Sequence, residues 1–381
     1  MSKADTRQED PGFLQHTYKQ LWLAAGAHEA DAEAVARAVS LGDRMGKLTQ
    51  GMGVLDVILF ALEAGNLDIQ AVPELVDEGP SWALYDGHRA TGFWTLTLAT
   101  HRAIEKARET GIAIAMGRNH HDAGSFYAYT SLALEQDMFA LATNNSVPLV
   151  SPWGGMENVL SGAPLSAAAP GGEEPPLISD IACIPAHDGN LSEAAYNGAR
   201  LAGKYLVDPE TGELTDDPEP YVIRVEGWGR FCGSRAPTVF DHPRLYALNV
   251  LTEMLSTVIV PGARITPELP HGKGAWRKPW DCGSVGGSTI IVIDPSVFGP
   301  IEDVKERSDK FVRKVKSAKR RPGVEEIHLP GERGYRATAN HNPVEILETH
   351  WQPYVDRLRK YGLDIEALRQ DWSTTRSEAT D

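Results

Sequence analysis

Apolar residues along this chain recur with two different periods, and their alternation predicts a mixed α/β protein. In residues 29–44, Ala32, Val35, Ala36 and Val39 form one apolar stripe at helical spacing. Residues 12–25 and 29–44 therefore read as two helices broken around Gly26. Two further helices are predicted over Val54–Ala64, closed by Gly65-Asn66, and over Gly92–Thr110. Between them Trp82–Tyr85 is a short strand ending in the turn signal Asp86-Gly87.

The densest alternation runs from Gly111 to Ala169. Ile112–Met116 has the length and β-branched content of a buried strand. It delivers Asn119-His120-His121-Asp122 and then Gly124, where a helix over Ser125–Gln136 begins. A second strand, Met138–Thr143, delivers Asn144, Asn145 and Ser146, followed by the tight turn Pro152-Trp153-Gly154-Gly155. Polar groups at the ends of apolar strands, beside glycines that allow close backbone approach, point to a site rather than a core. Further on, Leu177–Ala182 reads as a buried strand containing Asp180, and residues 208–220 as a polar turn region. Tyr246–Ile259 reads as a long apolar helix stopped by Pro261-Gly262, Ser288–Ile293 as a late strand, and 302–319 and 343–370 as closing helices. Neither an internal repeat nor a low-complexity segment interrupts this order.

Composition narrows the function classes. With 381 residues, 42% hydrophobic and 23% charged, the chain has an ordinary globular composition and enough length for two packed units. A net charge of −15 opposes non-specific nucleic-acid binding. The basic block Lys310–Arg321 has the spacing of an exposed helix face. No apolar run approaches the roughly 20 residues of a membrane span, and MSKADTRQEDPGF lacks the apolar core of a signal peptide, so a cytoplasmic location is expected. The three cysteines, Cys183, Cys232 and Cys282, are far apart and odd in number, which argues against a disulfide framework or a zinc knuckle. Cys183 reads as a small buried residue.

Familiar cofactor and catalytic signatures are missing: there is no GxGxxG at a strand–helix junction, no GxxxxGK[ST], no HExxH and no GxSxG. Gly227-Trp228-Gly229 follows a charged stretch with no helix after it and reads as a plain turn. Residues 42–53, GDRMGKLTQGMG, hold four glycines in twelve positions and form a loop that turns sharply or approaches a ligand. Asp180, an acid within an apolar strand, needs a partner, either structural or ligand-directed. For His120-His121 three readings stand open: one exposed and one hydrogen-bonded ring, an acid/base pair, or a metal site with Asp122. No metal is assigned.

At these residues the chain resembles the malate/L-lactate dehydrogenase family of NAD(P)-dependent oxidoreductases, which includes ureidoglycolate and sulfolactate dehydrogenases and cyclic-imine reductases. The matching signatures are GDRMG (42–46), Ser146-x-Pro148, PWGG (152–155), Asp180-Ile181-Ala182, Thr215-Asp216-Asp217-Pro218, Glu253 and the PGE at 330–332. The resemblance implies a non-Rossmann α/β fold, with a mixed-sheet cofactor domain (126–299) and a helical domain built from both chain ends (1–125 with 300–381). It implies NAD or NADP as cofactor, a homodimer and a small-molecule substrate, with no nucleic-acid or membrane partner. By position, Ser146, Asp180, Gly155 and Arg244 fall at the cofactor, Arg244 where the family usually has a lysine.

The chemical part of the family's site is rebuilt. Where the family carries Ser-His-Gly, an arginine and a tyrosine, this chain has Thr49-Gln50-Gly51, Val54 and Ile58, and Asp122 occupies the position of the catalytic histidine. The family's Gly-Thr-Asn-Pro becomes Ser161-Gly162-Ala163-Pro164. Gln50 donates a hydrogen bond but exchanges no proton, and Asp122, with a reference pKa of about 3.9, works more easily as a base than as an acid. The expected arrangement is therefore an oxidoreductase acting on a hydroxy acid, keto acid or imine. In it His120 or His121, helped by Asp122, handles the proton while Thr49 and Gln50 orient the substrate. Arg44 and Lys47 are candidates to replace the lost arginine. The alternative is a non-redox lyase, hydratase or hydrolase on the same scaffold.

Overall fold

The computed structural model describes residues 6–47, 49–224, 232–269 and 286–378. The Gly227-Trp228-Gly229 turn and Cys282 lie outside the described residues. A seven-stranded sheet runs in the order 74–79, 82–86, 112–120, 286–293, 139–144, 164–169, 177–182. The sheet is mixed. Trp82–Asp86 runs parallel to Ile112–His120, joined by the crossover helix Gly92–Thr110, and every other neighbouring pair is antiparallel.

Local chemistry sets the ends of that helix as the sequence predicts. Thr91 accepts the Trp94 N–H at 3.2 Å, and Gly111 takes the left-handed conformation, φ 81°, that closes it. Its inner face is small: Ala99, Ala103 and Ala107 lie against Ala113, Ala115, Ile290 and Val292, so helix and sheet approach closely. A separate helical core joins the two ends of the chain. Phe13, Tyr18 and Trp22 pack there with Leu55, Ile58, Trp351, Tyr354 and Leu358. Thr6–Glu9 pairs antiparallel with Val344–Leu347 beside it. Three strands from before residue 125 share the large sheet with four from after it.

Four expectations need correction. Ile112–Met116 continues as a strand to His120, with Asn119 as the extra residue of a bulge opposite Gly286/Gly287 and at φ 52°. Leu177–Ala182 is an edge strand rather than a buried one; Ser179 and Ile181 face out. Residues 343–370 supply closing helices, but the segment opens as a strand. Val344 and Ile346 alternate inward as a strand, and Gly362 at φ 77° separates helices Glu348–Lys360 and Ile365–Glu378. The long apolar helix begins earlier, at Pro243, and is inside out: Asn249, Thr252, Glu253, Ser256 and Thr257 are buried while Leu251, Met254, Val258 and Ile259 are exposed. The buried Glu253 carboxylate explains this. It accepts the Ser161 N–H at 2.8 Å, the Ser161 hydroxyl at 2.6 Å and the Thr266 hydroxyl at 2.6 Å.

Candidate active site

A cavity of about 820 Å³ lies between the helical core and the ends of the sheet strands. The glycine-rich loop forms one wall. Asp43, at the end of helix Glu29–Arg44, accepts the Met52 N–H at 2.9 Å and so pins the start of helix Met52–Glu63. The turn between them is closed by Gln50 and Gly51 N–H groups donating to the Lys47 carbonyl, both at 2.8 Å. Gly42 is required here, because a Cβ on it would stand 2.7 Å from the Gln50 carbonyl oxygen. Lys47, Thr49 and Gln50 consequently face the cavity.

The opposite wall is built from strand ends. Asp180 lies on the edge strand with its side chain only 8% exposed. Lys47 Nζ forms an ion pair with Asp180 Oδ2, and the Ser125 hydroxyl donates to the same oxygen at 3.0 Å. The partner that an acid in this strand required is thus a lysine 133 residues away. Asp180 Oδ1 has no partner among the described residues. Asn144 and Ser146, at the end of strand Phe139–Asn144, line the cavity as expected for strand-end polar groups. At the far end, Arg357 donates to Asp56 at 2.8 and 3.1 Å.

Asp122 also lines the cavity. Its carboxylate accepts the Gly124 N–H at 2.8 Å, and burial pushes its pKa up. The histidines just before it take a different course. His120 is wholly buried: its Nδ1 meets the His121 carbonyl at 2.8 Å and its Nε2 the Ser288 hydroxyl at 3.1 Å. His121 is equally buried, and neither ring nitrogen has a hydrogen-bond partner. Burial holds His120 at about 4 and His121 at about 3. Neither lines the cavity: the strand carries the His120 ring into a packed layer where Gly87 and Gly286 make room, and His121, the next residue, is buried as well. Gly155 and Arg244 also lie outside the lining, the first in its turn and the second exposed at a helix start. Arg44 donates instead to the Thr338 carbonyl at 2.6 Å.

One lining residue, His187, was not among the sequence candidates. It caps helix Asp188–Tyr196, its Nδ1 accepting the Gly189 N–H at 3.0 Å, and burial together with Lys47 lowers its pKa. A histidine followed by Asp-Gly-Asn before an apolar run is the signal that could have marked it. Cys183 is buried, and burial pushes its thiol up to about 12, which makes it unreactive. Among the described residues Glu326, His328 and Glu332 bring three possible metal ligands together, but Lys316 and Arg336 already bridge their carboxylates.

The profile of the malate/L-lactate dehydrogenase family matches residues 11–352. The chain belongs to that family. The malate dehydrogenase of Pyrococcus horikoshii is 28% identical over 318 residues, 81% of this chain and 82% of the relative. The Δ1-pyrroline-2-carboxylate/Δ1-piperideine-2-carboxylate reductase of Pseudomonas putida is 27% identical over 327 residues, 85% and 88% of the two chains. The solved sulfolactate dehydrogenase from Methanocaldococcus jannaschii superposes with a TM-score of 0.80 at 25% identity, covering 95% of this chain and 99% of that one. This member of the malate/L-lactate dehydrogenase family is an oxidoreductase; these relatives are dehydrogenases and reductases, and none favours the lyase or hydrolase alternative. No helix among the described residues is long and apolar enough to cross a membrane.

Proposed function

We propose that the protein transfers a hydride between a nicotinamide dinucleotide and a small hydroxy acid, keto acid or cyclic imine acid bound in the cavity. The observation that carries this reading is the convergence of the strand-end groups Asn144 and Ser146 and the edge-strand Asp180 with the loop residues Lys47, Thr49 and Gln50 on one cavity. The donor set fits the nicotinamide end of such a cofactor. Asp180 Oδ1 is an open acceptor for a ribose hydroxyl or carboxamide N–H, and Ser146 and Asn144 add hydroxyl and amide groups. When bound, the cofactor supplies or accepts the hydride.

This chain's own residues do the rest. Lys47 gives one of its three N–H donors to Asp180 and retains two for a substrate carboxylate, the task of the family's missing arginine. Thr49 and Gln50 orient the substrate's polar atoms. Asp122, whose pKa burial raises, exchanges the proton with the reacting oxygen or nitrogen. His120 and His121 keep a supporting place in this reading, as the buried residues that lead from the strand end to Asp122. Arg244 and Gly155 remain candidates for the distal part of the cofactor. The protein is proposed to act in the cytoplasm as a homodimer, a state supported by the outward apolar face Leu251, Met254, Val258 and Ile259.

Fluorescence titration of the purified protein with NADH and with NADPH tests the reading. Micromolar binding of one of them supports it and names the cofactor. Binding of neither refutes it.

A further inference from the structure

The two ring nitrogens of His187 have different surroundings. Nδ1 accepts the Gly189 N–H at 3.0 Å, while Asn190 Oδ1 accepts the His187 N–H at 3.1 Å, a reciprocal box that fixes the ring at the helix start. A nitrogen that accepts an amide N–H presents its lone pair, so the ring proton sits on Nε2. Nε2 has no partner among the described residues, and the ring lines the cavity together with Thr49, Gln50 and Lys47. The site is made for this ring. A Cβ on Gly189 would lie 2.7 Å from His187 Cε1 and 2.9 Å from Thr49 Cγ2, so only glycine lets the two side chains converge there.

Adding a proton to Nδ1 would break the cap and set a cation against the positive end of the helix and against Lys47. Burial acts in the same direction. The other charged groups lining the cavity, Asp180, Asp122, Asp56, Glu193 and Arg357, include two carboxylates already paired with cations.

We propose that His187 is a catalytic residue that works as a neutral imidazole, its Nε2–H donating to the substrate oxygen or imine nitrogen on which charge develops. The proposal rests on the redox reading above. In the reducing direction a hydride adds to the carbonyl or imine carbon, forming a C–H bond, and the nicotinamide is oxidised. The C=O or C=N π pair moves onto the heteroatom, which then takes one proton from the Asp122 carboxyl. Water re-protonates Asp122. His187 neither gains nor loses a proton; it holds the developing charge with a donor already in place. A helix N-terminus that keeps an imidazole neutral for this purpose is a known solution to carbonyl polarisation.

Two measurements on the full chain test this. In histidine-15N-labelled protein with NADH bound, the His187 resonances, assigned by their loss in His187→Asn, should report the neutral Nε2–H form from pH 8 down to pH 6. In steady-state reduction of a panel of 2-oxo acids and Δ1-pyrroline-2-carboxylate, His187→Asn should lower kcat about 10²–10³-fold. Asparagine keeps the helix cap, so cofactor affinity should be unchanged, and the pH–rate limb should stay where it is in the wild type. His187→Gln serves as a second variant if the first is unstable. Wild-type kcat in both variants, a cationic or Nδ1–H ring, or loss of the limb overturns the assignment while leaving the redox reading intact. Failure to bind NADH or NADPH, or turnover of no panel member by the wild type, overturns the redox reading and this assignment with it.

Discussion

Replacing Asp43 by asparagine should make the protein's stability less dependent on pH, and the structure sets both the sign and the size. The carboxyl is 3% exposed and holds two groups: the Tyr18 hydroxyl donates to Oδ2 at 2.6 Å and the Met52 N–H to Oδ1 at 2.9 Å. The loop is folded so tightly over it that a Cβ on Gly51 would stand 1.9 Å from Oδ1. Burial outweighs both hydrogen bonds and pushes the carboxyl up to about 7. Its value in the unfolded chain is about 3.9. A folded pKa above the unfolded one means that the native state holds the proton more tightly. Asp43 therefore contributes stability that is fully present below about pH 4 and is lost as pH rises through 7.

At about 1.4 kcal/mol per unit, the whole loss is roughly 4 kcal/mol, of which about 2.5 kcal/mol falls between pH 5 and pH 8. Asparagine keeps an acceptor for the Met52 N–H and turns its amide toward the Tyr18 oxygen, but does not titrate. Urea unfolding followed by tryptophan fluorescence at pH 5, 6, 7 and 8 gives the comparison. The variant should gain about 2.5 kcal/mol on the wild type from the lowest to the highest of these pH values. A gap that stays constant across the range would refute the argument, because it would mean that Asp43 titrates alike in both states.

His121→Leu removes two buried nitrogens without partners, and we expect it to stabilise the protein by about 1 kcal/mol at pH 7.5. With a folded pKa of about 3, His121 contributes stability above its unfolded value of about 6.5 that is lost as pH falls. The advantage of His121→Leu should therefore grow below pH 6.5, which thermal melts at pH 7.5 and 5 would detect. Gly189→Ala should force His187 and Thr49 apart and lower kcat at least about tenfold, with little change in cofactor affinity by NADH titration. Lys47→Met should raise KM for a carboxylate substrate about 10- to 100-fold. Unchanged KM would remove Lys47 from substrate binding and leave it as the structural partner of Asp180.

Where local chemistry sets an element, the sequence sufficed. Thr91 and Gly111 mark the ends of helix Gly92–Thr110 without reference to anything distant. Elements whose surroundings are supplied from far along the chain were misjudged. Helix 243–258 is apolar on its outer side because Glu253 satisfies groups of Ser161 and Thr266, and no periodicity of its own could reveal which face those residues approach. The histidine pair is the same case. The polar run Arg118-Asn119-His120-His121 looks like a loop, yet Gly286, more than 160 residues on, and Gly87 provide the space in which the strand continues and the ring of His120 is buried.

In the proposed reading a set of functions persists while the residues that carry it change. By position, the chain lacks an arginine, a tyrosine and two histidines that its family resemblance led us to expect. The cavity nevertheless collects a cation in Lys47, amide and hydroxyl groups in Gln50 and Thr49, a carboxylic acid in Asp122 and an imidazole in His187. The tasks are divided differently. A single histidine can polarise a carbonyl and exchange its proton; here the imidazole is tied by its cap to the neutral form, and a buried carboxyl is the group free to titrate. If that division is correct, Asp122→Asn should abolish the pH–rate limb and His187→Asn should leave it in place. The double variant should then lose more rate than either alone, because the two groups serve separate steps of charge stabilisation and proton transfer.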